Sequence, residues 1–325
     1  MNKRQIYRSP LFYVGDKYKL LPEIKNYFPQ KINRFIEPFT GGGSVFLNVR
    51  AKEYFLNDID TNVINLHKFL REQAKNPEQF FQKIQSRIEE FGFSHSYQKD
   101  IVPQELKIQW KKTYYAKFNK RPFQKLKEHY NNSRQKDMLD LYLLLIFGFN
   151  RMLRFNSEGA YNLPVGNVDF NKNVQNALLN YFRIVKNRNI KFYNLDFTEF
   201  IRTIDFQQDD FVYFDPPYLI TFSEYNKFWN ENNEQILIEL LDNLHRKGVK
   251  FAVSNVTHYK NKVNSVFLNW SEKYYTQNIK SNYISYHDNS IKSFNEVLVF
   301  NYQPDFSEQM SIFDTENSEI ENVRT

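Results

Sequence analysis

Asp215-Pro216-Pro217-Tyr218 is the string whose residue types say most about chemistry. Two consecutive prolines fix the backbone and remove two N–H donors. The Asp215 carboxylate and the Pro216 carbonyl can then aim two acceptors at one small group. An exocyclic NH2, which has two donors, suits that arrangement. Tyr218 adds a flat face on which a base can stack. The competing reading is a proline-rich turn with a capping Asp. A second string, Glu37-Pro38-Phe39-Thr40-Gly41-Gly42-Gly43-Ser44, has glycines that let the backbone approach a ligand. It is not the spaced G-x-G-x-x-G of dinucleotide binders, and it lacks the Lys-Ser/Thr of a P-loop. Asp58 is placed to accept both hydroxyls of a ribose. It could instead cap a helix over Thr61–Lys68. Glycine loop and acid together favour a nucleoside-containing cofactor.

These strings need a sheet to hold them. Arg34–Phe39 reads as a buried strand, Ser44–Arg50 has helical apolar spacing, and Glu53–Asn57 reads as a second strand closed by Asp58. Helix follows from Thr61. Further on, Ile190–Leu195 reads as a strand ending at Asp196, and Phe211–Phe214 as a strand with Asp215 at its carboxyl end. A helix over Glu231–Lys247, a strand Val249–Ser254, a helix His258–Phe267 and strands Glu272–Ile279 and Glu296–Tyr302 complete the pattern. This is a doubly wound α/β sheet, whose ligand crevice opens at the carboxyl ends of the strands.

The middle of the chain differs. Pro77–Phe91, Pro103–Phe118, Pro122–Tyr130 and Lys136–Ile146 look helical, and three of them open with Pro. Asn150–Gly166 carries turn chemistry at Asn156–Gly159 between apolar flanks and reads as a hairpin, before a helix over Phe170–Lys186. The expected organisation is a catalytic domain in two parts, residues 1–75 and 171–303, around an inserted, mainly helical segment 76–170. Residues 304–325 are acidic and Ser/Asn/Glu-rich, and are expected to form a disordered tail.

Composition narrows the chemistry. The 325 residues include no Cys, which excludes a disulfide scaffold, a Cys-ligated zinc site and a Cys nucleophile. Six scattered His have no metal-binding spacing, so no metal is expected. No run of about 18 apolar residues spans a membrane. The opening MNKRQIYRSPLFYVG has no apolar stretch before a small-residue cleavage site, so a cytoplasmic protein is expected. The chain carries 44 basic against 37 acidic residues, a net charge of +7. Gln303–Thr325 holds six acids against Arg324 alone, so the body is more basic than the whole. Ser86–Lys136 holds 12 Lys/Arg against 5 Asp/Glu, with nine aromatics interleaved. Such a stretch suits a polyanion with stackable bases, and equally a solvated helical face.

The strings recur in a definite order: Leu11-Phe12-Tyr13-Val14-Gly15-Asp16-Lys17, Ile36–Leu47, Phe55-Leu56-Asn57-Asp58, Phe149–Gly166, Asp215–Tyr218 and Ser293–Tyr302. In that order they resemble the motifs of the Dam-type (alpha-group) DNA adenine-N6 methyltransferase family, over nearly all of residues 8–302. The first resembles its aromatic–Ala–Gly–Gly–Lys string. The second resembles E-P-F-x-G-x-G-S-V-F-L, and the fourth the hairpin with which the family reads DNA. Tyr13 replaces the usual Trp, Val14 and Asp16 replace Ala and Gly, and Arg151 and Met152 stand where the family's type member has Gly and Leu.

The resemblance implies a Rossmann-like methyltransferase sheet with an inserted DNA-recognition domain, S-adenosylmethionine as methyl donor, and double-stranded DNA as substrate. The target adenine is flipped out of the duplex. Asp215, Pro216 and Tyr218 are the implied catalytic residues. Tyr13, Lys17, Asp58 and Asp215 are the implied cofactor contacts, with Glu37, Pro38, Phe39, Gly41, Gly43 and Ser44 beside them and Asp196 added for the cofactor adenine. Arg154 matches the guanine-contacting Arg, and bidentate Arg–guanine pairing is the commonest specific contact. Phe149 and Asn150 match residues that fill the gap left by the flipped base. Met152 and Pro164 match apolar base contacts, and Asn156 belongs to the same DNA-binding string. A monomer is expected.

Gln309-Met310-Ser311-Ile312-Phe313 resembles the Gln–x–x–aliphatic–Phe peptides that bind bacterial sliding clamps, so a clamp is an expected partner through Gln309, Ile312 and Phe313. The alternative is an apolar pair folded back onto the body. Two rival functions stand beside the main one: an RNA adenine-N6 methyltransferase, since the catalytic string does not choose the polymer, and a non-catalytic DNA-binding protein of the same fold. Glutamine and cytosine-N4 methyltransferases carry Asn or Ser first in this motif, and Asp215 argues against them.

Overall fold

The computed structural model describes residues 5–221, 229–279 and 294–305. In chain order its elements begin with α1 (Leu21–Ile24), β1 (Arg34–Glu37), α2 (Ser44–Asn48), β2 (Glu53–Asn57) and α3 (Thr61–Gln73). The helical stretch is α4 (Pro77–Phe91), α5 (Gln104–Trp110), α6 (Tyr114–Asn132), α7 (Met138–Phe147) and α8 (Lys172–Val185). Then come β3 (Asn189–Tyr193), α9 (Phe197–Arg202), β4 (Phe211–Phe214), α10 (Glu231–Arg246), β5 (Lys250–Tyr259), β6 (Lys262–Val263), α11 (Ser265–Ser271), β7 (Tyr275–Ile279) and β8 (Phe294–Phe300). The elements form two compact units, each built from separate stretches of chain: Met1–Tyr18, Thr40–Asn48 and Leu56–Asp196 in the first, Lys19–Phe39, Val49–Phe55 and Phe197–Thr325 in the second.

The second unit holds most of a mixed sheet, with strand order β2-β1-β4-β5-β8-β7 and β6 paired to β5. β1, β4 and β5 run parallel, while β8 is antiparallel to both β5 and β7. Every residue of β1 and β4 is buried, as expected of strands covered on both faces. Buried Arg34 opens β1 because its guanidinium forks onto Asp210, just before β4, with Nε donating to Oδ1 at 3.0 Å and Nη2 to Oδ2. Bidentate pairing satisfies both ions away from water and holds the two strand starts in register.

The first unit holds β3 beside the end of β2 and helices α3 to α8. In α7 every residue after Met138 is buried, so the helix is the core rod of this unit. α6 lays Asn119, Phe123, Leu126 and Tyr130 inward at helical spacing. That stripe runs straight through Pro122, so one helix stands where the sequence suggests two. Packing on both sides of the proline outweighs the single hydrogen bond it removes. The break falls earlier, at Lys111, whose φ of 37° ends α5.

One expected helix is absent. His258 lies in β5, not at the start of a helix over His258–Phe267. The β-branched run through Val256 and Thr257 extends the strand, a two-residue turn at Lys260-Asn261 (Lys260 φ 55°) reverses it, and β6 pairs back before α11 begins at Ser265. The Asn156–Gly159 turn is present, and its hairpin is thin: Gly148 bridges Val165 and Phe155 bridges Tyr161, without continuous strands. Asn131 of α6 takes both backbone groups of Tyr161, donating to its carbonyl at 3.0 Å and accepting from its N–H at 2.9 Å, so a helix replaces the missing ladder bonds. Among the described residues no helix is long and apolar enough to cross a membrane. Gln309, Ile312 and Phe313, and the expected disordered tail beyond residue 305, lie outside the described residues.

Candidate active site

The second unit carries the sharper half of the chemistry. β1 and β4 are neighbouring parallel strands, with Phe35 level with Phe211 and Ile36 with Val212. Their carboxyl ends therefore release Glu37-Pro38-Phe39 and Asp215-Pro216-Pro217-Tyr218 at the same edge. The Tyr218 hydroxyl lies 3.1 Å from Asp215 Oδ1 and 3.0 Å from Glu296 Oε1 of β8. One phenolic proton serves only one of these carboxylates at a time. Phe39 packs against Phe197 and Trp229 with ring centroids 5.2 and 5.8 Å apart. Trp229 Nε1 donates to buried Glu234 at 2.7 Å, and Asn255 and Asn264 donate to the other oxygen of that carboxylate.

The first unit carries the glycine loop. Gly43 has φ +78°, and a Cβ there would stand 2.4 Å from Phe46 Cε1 and 2.8 Å from His67 Cε1. A Cβ on Gly42 would meet the Tyr13 Cβ at 2.9 Å, so buried Tyr13 lies directly on the loop. Asp58 Oδ2 accepts from the Gly41 N–H at 2.8 Å and Oδ1 from the Asp60 N–H at 2.9 Å. Burial pushes this carboxyl up to about 6, against the pull of those backbone donors. The helix cap is Asp60, which accepts from Asn62 N, so Asp58 is not the cap of α3. His67 Nε2 sits 2.9 Å from the Gly41 carbonyl, which can only accept, and Nδ1 sits 3.3 Å from the Tyr181 hydroxyl. Nε2 therefore carries the proton, and burial holds the ring neutral with its pKa lowered to about 4.

Asp196 reaches the same end of this unit through side-chain bonds. Asn57 closes β2 by donating to the Leu195 carbonyl at 3.0 Å and accepting from its N–H at 2.9 Å. Asn194 donates to the carbonyls of Asp58 and Ile59. The exits of β2 and β3 are thus sewn together, with Asp58 on one and Asp196 on the other. Ser44 Oγ donates to Asp16 Oδ2 at 3.2 Å and accepts from Ser9 N, which ties the Tyr13–Lys17 segment to the loop. Lys17 is buried.

The hairpin residues also lie in the first unit. Phe149 is 50% exposed, unusual for so large an apolar side chain. Asn150 and Arg151 follow with φ of 53° and 51°. Arg154 crosses the hairpin to Asn162, Nε donating to Oδ1 at 2.8 Å and Nη2 to the carbonyl at 3.2 Å. The Asn156 carboxamide oxygen accepts from Glu158 N and Ala160 N, so its work is to shape the turn. Met152 is half-buried and Pro164 exposed.

Residues 13–279 match the family model described as D12 class N6 adenine-specific DNA methyltransferase. The chain belongs to this family. Its mixed α/β fold with a mostly parallel central sheet is the Rossmann-like methyltransferase arrangement. The chain is 34% identical over 313 residues to the modification methylase StsI of Streptococcus sanguinis, covering 91% of this chain and 43% of that protein. It is 34% identical over 304 residues to the type II methyltransferase M.FokI of Planomicrobium okeanokoites, again covering 91% and 43%. To the DNA adenine methylase of Escherichia coli K12 it is 28% identical, covering 76% of this chain and 80% of that one. The chain therefore spans about two fifths of the length of the first two relatives.

Four members of the site escape a reading of this family's motifs along the sequence. Glu296 sits in a strand far from Asp215 and meets Tyr218 only through the β5–β8 pairing. Trp229 and Glu234 form a pair only in space. His67 reads along the chain as one polar residue in an amphipathic helix, and only the fold buries it behind the glycine loop. No cluster of metal-ligating side chains occurs among the described residues.

Proposed function

We propose that this chain transfers a methyl group from S-adenosylmethionine to N6 of an adenine flipped out of a short duplex DNA site. The observation that carries the reading is the edge of the second unit where β1 and β4 end side by side, releasing Glu37-Pro38-Phe39 and Asp215–Tyr218. The residues present fit the cofactor. Asp58 and Asp196 are acids suited to ribose hydroxyls and an adenine amine, the aromatic group of Phe39, Phe197 and Trp229 offers ring surface, and the loop excludes side-chain atoms where Gly42 meets Tyr13. Tyr13, Lys17, Glu37, Pro38, Phe39, Gly41, Gly43, Ser44, Asp58, Asp196 and Asp215 would hold it. When bound, it supplies an electrophilic methyl on a sulfonium.

Asp215 and the Pro216 carbonyl accept the two N6 hydrogens, which raises electron density on N6 and fixes the direction of its lone pair. With the donor bound, the methyl would pass from its sulfonium to N6, leaving a neutral sulfide, and the extra N6 proton would go to Asp215 or water. When the Tyr218 proton turns to Glu296, Asp215 Oδ1 is released from that bond and can take the amine. Residues 76–170 form the recognition domain, in which Phe149 and Asn150 fill the vacated stack, Arg154, Met152 and Pro164 read bases, and Asn156 holds the hairpin's shape. The enzyme works in the cytoplasm as the methylating partner of a restriction–modification pair, in keeping with the names of the StsI and M.FokI relatives.

Tritiated-methyl transfer into unmethylated plasmid DNA tests this. Asp215→Ala should lower incorporation at least about a thousandfold, in line with loss of a transition-state contact, while DNA binding measured without cofactor stays within a few-fold. A variant that still methylates would remove Asp215 from the mechanism.

A further inference from the structure

Arg8 and Arg151 of the first unit converge on one aromatic ring. Their guanidinium carbons lie 4.6 and 4.2 Å from the Phe12 centroid, and Arg8 also lies 5.3 Å from that of Tyr18. Each Nε is buried without a hydrogen-bond partner, and neither guanidinium donates a hydrogen bond to another described residue. Two like charges around one ring, each with a buried Nε that has no acceptor, cost free energy unless water or an anion supplies one. Burial and the Arg8 charge push Arg151 down to about 10. Asp16 attracts both charges, but its carboxylate accepts from Ser44 Oγ and Tyr18 N and bonds neither guanidinium, and the Tyr142 hydroxyl is committed to the Pro10 carbonyl.

The backbone adds a second, independent sign. Arg151 has φ 51°, a left-handed conformation that favours glycine. This chain therefore holds a charged side chain on backbone where glycine is the unstrained choice. The location is also specific. Phe149, half exposed, is two residues away, and Tyr13, next to Phe12, lies against Gly42 of the glycine loop. The pair therefore stands between the base-gap turn and the cofactor loop within this unit.

We propose that Arg8 and Arg151 clamp one backbone phosphodiester of the DNA beside the extruded nucleotide. This rests on the reading that duplex DNA is the substrate. Arginine forks match phosphate oxygens bidentately, and two forks on one phosphate fix the strand's position without reading its sequence. A carboxylate, such as that of the cofactor's methionine moiety, is the rival anion.

The test compares wild type with Arg8→Gln, Arg151→Gln, the double variant and Arg151→Gly, the last relieving the backbone. DNA affinity is measured by fluorescence anisotropy on an unmethylated duplex pool from about 50 to 200 mM KCl, and S-adenosylmethionine affinity by equilibrium dialysis. Each single variant should bind DNA about tenfold more weakly and lower the salt slope by about 1, one phosphate's share. The double variant should fall no more than about threefold below the weaker single, because both residues serve one phosphate, and cofactor affinity should not change. Unchanged slopes in Arg151→Gly and Arg8→Gln overturn the clamp. So does a loss confined to cofactor affinity, which would assign the pair to the carboxylate. Wild-type protein with no salt-dependent DNA affinity overturns the DNA reading itself, and the clamp with it.

Discussion

Tyr218 has one hydroxyl proton and two carboxylate neighbours, Asp215 and Glu296. A tether through the hydroxyl acts in the plane of the ring, so it orients the ring without using the faces on which a base would stack. Tyr218→Phe keeps the ring and loses the tether. Its kcat should fall about tenfold, the scale of one positioning hydrogen bond, with little change in KM for DNA. Glu296→Ala should do the same, whereas Glu296→Gln, which still offers an acceptor to Tyr218, should recover most of the loss. Steady-state kinetics on one duplex would check this. Equal defects in Glu296→Gln and Glu296→Ala would show that charge, and not the hydrogen bond, is what Glu296 supplies. Tyr218 and Asp215 stand out along the chain because an Asp-Pro-Pro-Tyr string is rare. Glu296 does not, because its partner is 78 positions away.

At the scale of elements, the glycine loop is held from two sides. Asp58 at the end of β2 takes the Gly41 N–H and His67 of α3 takes the Gly41 carbonyl. Their titrations oppose one another. His67 is held neutral, with a folded pKa of about 4, so its contribution to stability is present above its ordinary value near 6.5 and is lost as pH falls toward 4. Asp58 is raised to about 6, so it favours the folded state below its ordinary value and that gain is lost as pH rises through 6. Acidification from pH 6.5 to 4 thus weakens one support and relieves the other. Asp58→Asn should raise stability at pH 7.5 by about 1 kcal/mol, less than the two-unit shift implies because the carboxylate is partly solvated. It should also steepen acid destabilisation and weaken cofactor binding at least about tenfold, one charge-assisted hydrogen bond's worth. His67→Phe should flatten the acid side. Urea midpoints at pH 7.5 and 5.0, beside dialysis with S-adenosylmethionine, would show both, and parallel acid profiles in the two variants would contradict the assignment.

For the whole molecule, charge is the relevant quantity. The net charge is +7, while the residues after Gln303 are acidic. Exposed Lys111, Lys112 and Lys117 lie around the α5–α6 junction, and Lys117 Nζ stands 3.8 Å from the Trp110 centroid. Residues of this kind hold phosphates without reading bases. Replacing all three with Gln should lower the salt slope of DNA binding by up to about 3 and leave the methylated sequence unchanged. Base-resolution mapping of methylated adenines, next to anisotropy titrations, would check both. A changed recognition sequence would move these lysines into base readout.

Read from the chain alone, the alternation of strand and helix, the glycine loop, the acid that closes β2 and the Asp-Pro-Pro-Tyr string are all legible, because each is local. A buried parallel strand, a tight turn and a fixed proline pair leave their mark within a few neighbouring residues. The helix expected over His258–Phe267 failed for the complementary reason: whether a β-branched run continues as strand depends on a partner, here β6 and β8, that the local pattern does not contain. Pro122 likewise broke a helix on paper and not in the fold, since packing of α6 outweighs one hydrogen bond. Only the tertiary structure could join Tyr218 to Glu296, Trp229 to Glu234 and Gly41 to His67. Those pairings exist because burial makes an unpartnered polar group costly, and its partner is whichever residue the fold brings within reach.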